Sequence, residues 1–358
     1  MKFAKMRSVD RNIGEEVQWL AQERFVPPPP AGHSLYVNKE RLNKFQPSDP
    51  TKLIMNGWYA YNGGFAHSRW PWHKGWRLIP HTNVVPLLIS FHLTPKLYKY
   101  FSTGKGREFL AANAPIGCRD LDTMHFCESI GVPAYFSACL TLTIKPNSAI
   151  EKDANLIVAS GLRDDEVMAV KARTRKRVVS VDSTLPVLYS SKIRMDLARA
   201  MLGLYQSASC VVTGRLHCAL PCLALGVPVL VVDRDKSDPS YLAGRYSGYE
   251  TMLHHVSRDN LLNGNHAFSF DFPPENPDEH LQYRDNLVKR CVEFTGYDNA
   301  VSLLTIPDPM GYLVDVFTHT PRYRKGFGEL WYTPPKEMVK VLLKRTFARE
   351  GWWDSKIK

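Results

Sequence analysis

Arg215 and His217 stand two residues apart, directly behind Gly214. A guanidinium can clamp a phosphate or carboxylate through two parallel hydrogen bonds. An imidazole changes its charge near neutral pH and can give or take a proton. The flanking residues say how such a pair would be held. Cys210–Val212 is a short β-branched run and Thr213-Gly214 a turn. Leu216, Ala219, Leu220 and Leu223 recur at helical spacing. Gly226 then stands where a helix C-cap glycine belongs, with Pro228 behind it. Val229–Val232 is a continuous apolar run, as in a strand buried on both faces of a parallel sheet. The stretch Ser209–Asp233 is therefore predicted as strand, turn, helix, turn, strand. That order puts Arg215 and His217 at a helix start and at a strand's carboxyl end, where open α/β sheets take ligands. Backbone N–H groups after Gly214 and the helix dipole favour an anion there.

A second stretch has the same grammar. Ala114-Pro-Ile-Gly-Cys-Arg-Asp120 leads into a helical pattern over 121–130, then Gly131-Val132-Pro133, then a strand at 134–137. It places Arg119 as the first places Arg215. Two such units predict two Rossmann-like domains facing one another, with both arginines at one cleft. Their bounds are 1–146 and 147–310, joined at Lys145-Pro146-Asn147, with a basic tail over 311–358. The apolar run 84–91 is predicted as one strand ending at His92. Residues 52–58 are predicted as a strand that turns at Asn56-Gly57, and 140–144 as another strand. Around Arg11–Leu20 a loop with its turn at Gly14 feeds a helix, with Glu15 and Glu16 in the first turn. The stretch from Tyr59 to Pro80, with Trp58, Trp70, Trp72 and Trp76 in and beside it, reads as a long irregular loop of the kind that is often functional. Residues 191–206 and 280–295 are predicted helices.

Composition bounds the rest. The chain has 358 residues, 44% of them hydrophobic, enough for two cores. No run of 18 or more apolar residues occurs, so no membrane-spanning helix is expected. The first residues lack an apolar leader, and the expected location is cytoplasmic. Seven scattered cysteines make no zinc pattern and read as buried thiols in a reducing compartment. Net charge is +11, and residues 321–358 hold ten basic and four acidic side chains. Within 336–349, Val339, Leu343 and Phe347 share one face and Lys336, Lys340 and Lys344 another, followed by Trp352 and Trp353. That pattern suits either contact with an inner membrane face or packing on the body of the chain. No nucleic-acid motif accompanies the charge, so no nucleic-acid partner is expected.

These residues resemble the polysaccharide pyruvyl transferase family. Thr213-Gly-Arg-Leu-His217 is similar to the family's Arg-Leu-His motif, and Asn12-Ile-Gly-Glu-Glu-Val-Gln18 to its Asn-x-Gly-Asp-x-x-Gln opening. Met55-Asn-Gly-Trp58, Ile89-Ser-Phe-His92, Pro115–Asp120 and Ser137–Thr143 look like further family blocks in order. Glu15 stands where the family commonly has aspartate, keeping the charge with a longer reach. The resemblance covers roughly residues 8–250.

It implies a GT-B-like pair of domains and transfer of pyruvate from phosphoenolpyruvate to two hydroxyls of a sugar, as a cyclic ketal. The acceptor would be a saccharide of a surface polysaccharide, still on its lipid carrier in one version. The donor is a substrate, and neither cofactor nor metal is demanded. Arg215, His217 and His92 are the implied catalytic residues. Arg119, Gly214, Leu216, Asn12, Glu15, Asn56, Trp58 and Arg234 are the implied substrate contacts. The site needs cations for two anionic groups, an acid for the methylene carbon and a base for the hydroxyls. Two other classes remain: a GT-B glycosyltransferase using a nucleotide sugar, with Asp233, Asp235 or Asp238 near the ribose, and a non-catalytic component of a polysaccharide assembly complex.

Overall fold

The computed structural model describes residues 1–7, 11–29, 35–59, 78–185, 189–234, 244, 246–299 and 301–319. Trp70, Trp72, Trp76, Asp235, Asp238 and the basic segment 336–353 lie outside the described residues.

The N-terminal half runs β1 (Lys2–Arg7), α1 (Ile13–Glu23), β2 (Leu35–Asn38), β3 (Thr51–Ile54), β4 (Gly57–Tyr59), β5 (Val84–Leu87) and β6 (Phe91–Leu93). Then follow α2 (Pro95–Phe101), α3 (Gly104–Ala112), β7 (Ile116–Cys118), α4 (Leu121–Ser129) and β8 (Ala134–Phe136). The strands form two four-stranded parallel sheets, ordered β2-β1-β3-β5 and β4-β6-β7-β8. They meet where β3 gives way to β4 and β5 to β6. Backbone bonds carry the pairing across both interruptions: Met55 N to Leu87 O (2.8 Å), Gly57 N to Ser90 O (3.2 Å) and Gly117 N to Leu88 O (2.9 Å).

Four expectations change here. Asn56-Gly57 does not turn the chain back. It is a break in an advancing strand, and the run over 84–91 breaks beside it. Gly57 adopts φ +133 and Ser90 φ +52, and Asn56 turns its side chain to α1, donating to Gln18 O (3.0 Å) and accepting from Gln22 Nε2 (3.2 Å). Gly14 lies inside the first turn of α1, not before it. Residues 140–143 form a 3-10 turn and not a strand. All four are buried against α1 and two later helices, and Thr143 Oγ1 bonds back to Leu140 O (2.7 Å). The first strand was not expected at all. Only Ala4 and Met6 of β1 are buried, with Lys5 between them, too short an alternation to mark a strand.

The C-terminal half runs β9 (Asp153–Ser160), α5 (Asp164–Lys171), β10 (Arg177–Val181), α6 (Ser191–Ser207), β11 (Ala208–Thr213), α7 (Leu216–Ala224), β12 (Val229–Asp233), β13 (His254–Ser257), α8 (Arg258–Asn263), α9 (His280–Thr295) and α10 (Pro309–His319). Its five parallel strands lie in the order β10-β9-β11-β12-β13. The chain is thus mixed α/β with Rossmann-like parallel sheets. In this order the connections reverse direction between β9 and β11, and the crevice at such a reversal is the usual ligand position. The corresponding point of the first half lies between β1 and β3.

The two halves share one core. Val17 and Leu20 of α1, Leu140 and Leu142, Leu197 and Met201 of α6, and Leu220 and Leu223 of α7 belong to a single buried cluster. Helix α10 packs on α6, with Leu313 buried and Pro309 covering Gly203. All seven cysteines are buried and none is in a disulfide.

Candidate functional site

The starts of α1 and α7 meet. Asn12 caps α1, its side chain accepting from Gly14 N (3.1 Å). Residues 11–13 pair antiparallel with 183–185 through Ile13 N to Ser183 O (2.8 Å) and Leu185 N to Arg11 O (2.7 Å). This fixes the first turn of α1 against the second half. His217 packs on that turn: a Cβ on Gly14 would come within 3.3 Å of His217 Cβ and Nδ1. His217 itself leaves regular helical geometry, with φ −80 and ψ 16.

Arg215 is the N-cap residue of α7, and its own N–H donates to Thr213 Oγ1 (2.9 Å). Its guanidinium is 32% exposed and only loosely held, 3.3 Å from Asp182 Oδ1 and 3.5 Å from Thr184 Oγ1. Gly161, at φ +64 directly after β9, makes room for it: a Cβ there would lie 2.6 Å from Arg215 Nε and 2.8 Å from Cγ. The turns after β9 and β11, on either side of the reversal, therefore shape one basic position.

A second cluster forms at the carboxyl ends of β4, β6 and β7. Asp120 caps α4, its Oδ1 accepting from Thr123 N (2.9 Å) and Thr123 Oγ1 (2.8 Å), and its Oδ2 holds His92 Nδ1. Trp58 flanks the imidazole, ring centroids 6.4 Å apart and planes 30° apart. Burial, then the positive Arg119, hold the His92 pKa below its ordinary value despite Asp120. Burial works against the Asp120 anion, but His92 and Arg119 outweigh it and keep the carboxyl below the usual range. The pair is accordingly a carboxylate and a neutral imidazole.

Arg119 completes this cluster. Its backbone is fixed on both sides, N to Phe91 O (2.9 Å) and O from the Tyr249 hydroxyl (2.6 Å). Its side chain is buried, 5% exposed for the residue, with Asp120 Oδ2 3.8 Å from Nε. Among the described residues the guanidinium makes no hydrogen bond. The buried Nε lacks a hydrogen-bond partner, and a bidentate anion at the guanidinium would compensate it. Tyr249 belongs to the second half, as do Ser247 and Gly248, which cover the start of α4. The second half thus reaches onto the Arg119–Asp122 turn.

Other expected contacts are engaged within the fold. Glu15 is buried, held by Lys39 Nζ and by Gln18 Nε2 (3.1 Å). Asn56 ties the strand break to α1, as described. Leu216 is buried in the shared core. Arg234 makes a two-pronged pair with the buried Glu166, one prong at 2.8 Å, and its guanidinium backs Gly214. Sequence reasoning did not single out Asp182, Gly161, Thr123, Lys39 or Glu166. Gly161 had a signal, a glycine directly after an apolar run; the others are ordinary surface residue types in one dimension. No group of three His, Cys, Asp or Glu among the described residues is placed to hold a metal ion.

A family model described as polysaccharide pyruvyl transferase matches residues 12–236. That span runs from the cap of α1 to just past Arg234 and contains every site residue named above except the Tyr249 turn. A comparison with curated proteins gives no match.

Proposed function

The chain belongs to the polysaccharide pyruvyl transferase family, and we propose on that premise that it transfers pyruvate from phosphoenolpyruvate to two hydroxyls of a saccharide, giving a cyclic ketal. The observation that supports a small dianionic donor most directly is Arg119, a buried guanidinium without a hydrogen bond among the described residues. Arg215, loosely held at the start of α7, supplies a second cation. Phosphoenolpyruvate carries a phosphate and a carboxylate, so two separate arginines suit it. In this account the two halves act as a GT-B-like pair and His217 protonates the methylene carbon. The acceptor is a sugar of a surface polysaccharide, free or on its lipid carrier, met at the cytoplasmic side of a membrane. No helix among the described residues is long and apolar enough to cross one.

Calorimetric titration tests the donor. Phosphoenolpyruvate should bind, and Arg119→Met and Arg215→Met should each weaken it about 10- to 100-fold, since a hydrogen bond to a charged group contributes roughly 1.5–3 kcal/mol. Binding of a nucleotide sugar with no binding of phosphoenolpyruvate would replace this account with the glycosyltransferase one.

A further inference from the structure

His92 has one open ring nitrogen. Its Nδ1 is taken by Asp120, with Thr123 Oγ1 3.3 Å away, and among the described residues Nε2 has no hydrogen-bond partner. Asp120 is itself pinned by two bonds to Thr123, and Thr123 Oγ1 also accepts from Leu93 N (3.2 Å). The carboxylate therefore fixes both the tautomer and the orientation of the imidazole, with the proton on Nδ1 and the lone pair on Nε2. The strands place this lone pair in the same cluster as Arg119, and Trp58 supplies an aromatic wall beside it.

We propose that His92 Nε2 is the general base that removes the proton from an acceptor sugar hydroxyl, that Asp120 and Thr123 are its positioning residues, and that Trp58 borders the subsite for a pyranose diol. This rests on the pyruvyl-transfer reaction proposed above. The balance is as follows. One hydroxyl O–H bond breaks as its oxygen bonds to C2 of phosphoenolpyruvate, and the methylene carbon gains a proton to become methyl. The second hydroxyl then bonds to C2 while the C2–O bond to phosphate breaks. Of the two hydroxyl protons, one is balanced by the new methyl hydrogen and the other leaves on inorganic phosphate. His92 carries one of them in transit and ends neutral.

Besides burial, the groups that set its charge are Arg119 at the end of β7 and Asp120 and Asp122 at the start of α4. Burial keeps the imidazole neutral through the physiological range, as a base must be.

The test compares wild type, His92→Asn and Asp120→Asn for ketal formation across pH 5–9, with phosphoenolpyruvate affinity measured separately. Wild type should lose kcat/KM on an acid limb below pH 6.5, as His92 takes up a proton. His92→Asn should fall ~10²- to 10⁴-fold in kcat and lose that limb, with phosphoenolpyruvate affinity unchanged. Asp120→Asn should also lower kcat and move the limb, since the wrong tautomer becomes available. Retention of the acid limb in His92→Asn with less than a tenfold loss would overturn the base role. So would a wild-type limb above pH 6.5, which needs no variant to fold. Absence of any ketal product from wild type would instead overturn the proposed reaction, so the two failures are distinguishable.

Discussion

Gly161→Ala is the sharpest probe of how the proposed donor position is built. The substitution adds one methyl group 2.6 Å from Arg215 Nε and 2.8 Å from Cγ, well inside contact, on a backbone at φ +64. Two costs follow. A non-glycine residue in the left-handed region costs roughly 1–2 kcal/mol. The clash is relieved most cheaply by moving the arginine, because its hold on Asp182 and Thr184 is long and partly exposed. The guanidinium then loses one or two of the charged hydrogen bonds proposed to hold phosphoenolpyruvate, at about 1.5–3 kcal/mol each. KM for phosphoenolpyruvate should rise about 10- to 100-fold, with a Tm fall of roughly 2–6 °C. The assay is phosphate release under varied phosphoenolpyruvate at saturating acceptor, alongside a thermal melt. A loss of Tm with KM unchanged would refute the claim that Gly161 shapes the Arg215 position. Arg215→Ala in the Gly161→Ala background should add little further loss, as coupled neighbours do.

Other expectations follow from the junction of the halves. Glu16 bonds Arg194 (2.6 Å) across α1 and α6, and its second oxygen has no hydrogen-bond partner among the described residues. Burial raises its pKa to about 7 against the opposing pull of Arg194. A raised carboxyl pKa means that the folded state holds the proton more tightly, so its contribution is full below about pH 4.5 and is lost as pH rises through about 7. Glu16→Gln should flatten this fall in urea midpoints measured from pH 5 to 8, and an unchanged slope would contradict it. Asn12→Ala removes the α1 cap and should cost ~1 kcal/mol, a Tm drop of about 2–4 °C by calorimetry. Glu166→Gln strips the two-pronged partner from Arg234 and should cost about 3–5 kcal/mol in denaturant unfolding; a loss under 1 kcal/mol would show that the pair is not essential to the turn behind Gly214.

Some of this was legible in one dimension and some was not, for physical reasons. Arg215 and His217 announce themselves because the residues that place them, Gly214, Gly226 and Pro228, are local chain-breakers. The same holds for Arg119. The Asp120–His92 pair is 28 residues apart in sequence, and only the adjacency of β6 and β7 brings the two side chains together. Arg234 reads as a free cation until the fold sets it against Glu166, 68 residues away. Asn56-Gly57 carries a strong turn signal, but a neighbouring strand that breaks at the same level lets the ladder resume. Residues 140–143 alternate like a strand, yet the helices around them leave a 3-10 turn. Local propensity yields to packing in both cases.

The measurement that bears most directly on the proposed function is mass spectrometry of products after incubating the protein with phosphoenolpyruvate and a panel of free and lipid-linked saccharides. Appearance of a sugar heavier by one pyruvate less one water, with one phosphate released per sugar modified, is the predicted result. Sugars left unmodified by phosphoenolpyruvate, with glycosyl transfer from a nucleotide sugar in its place, would contradict it.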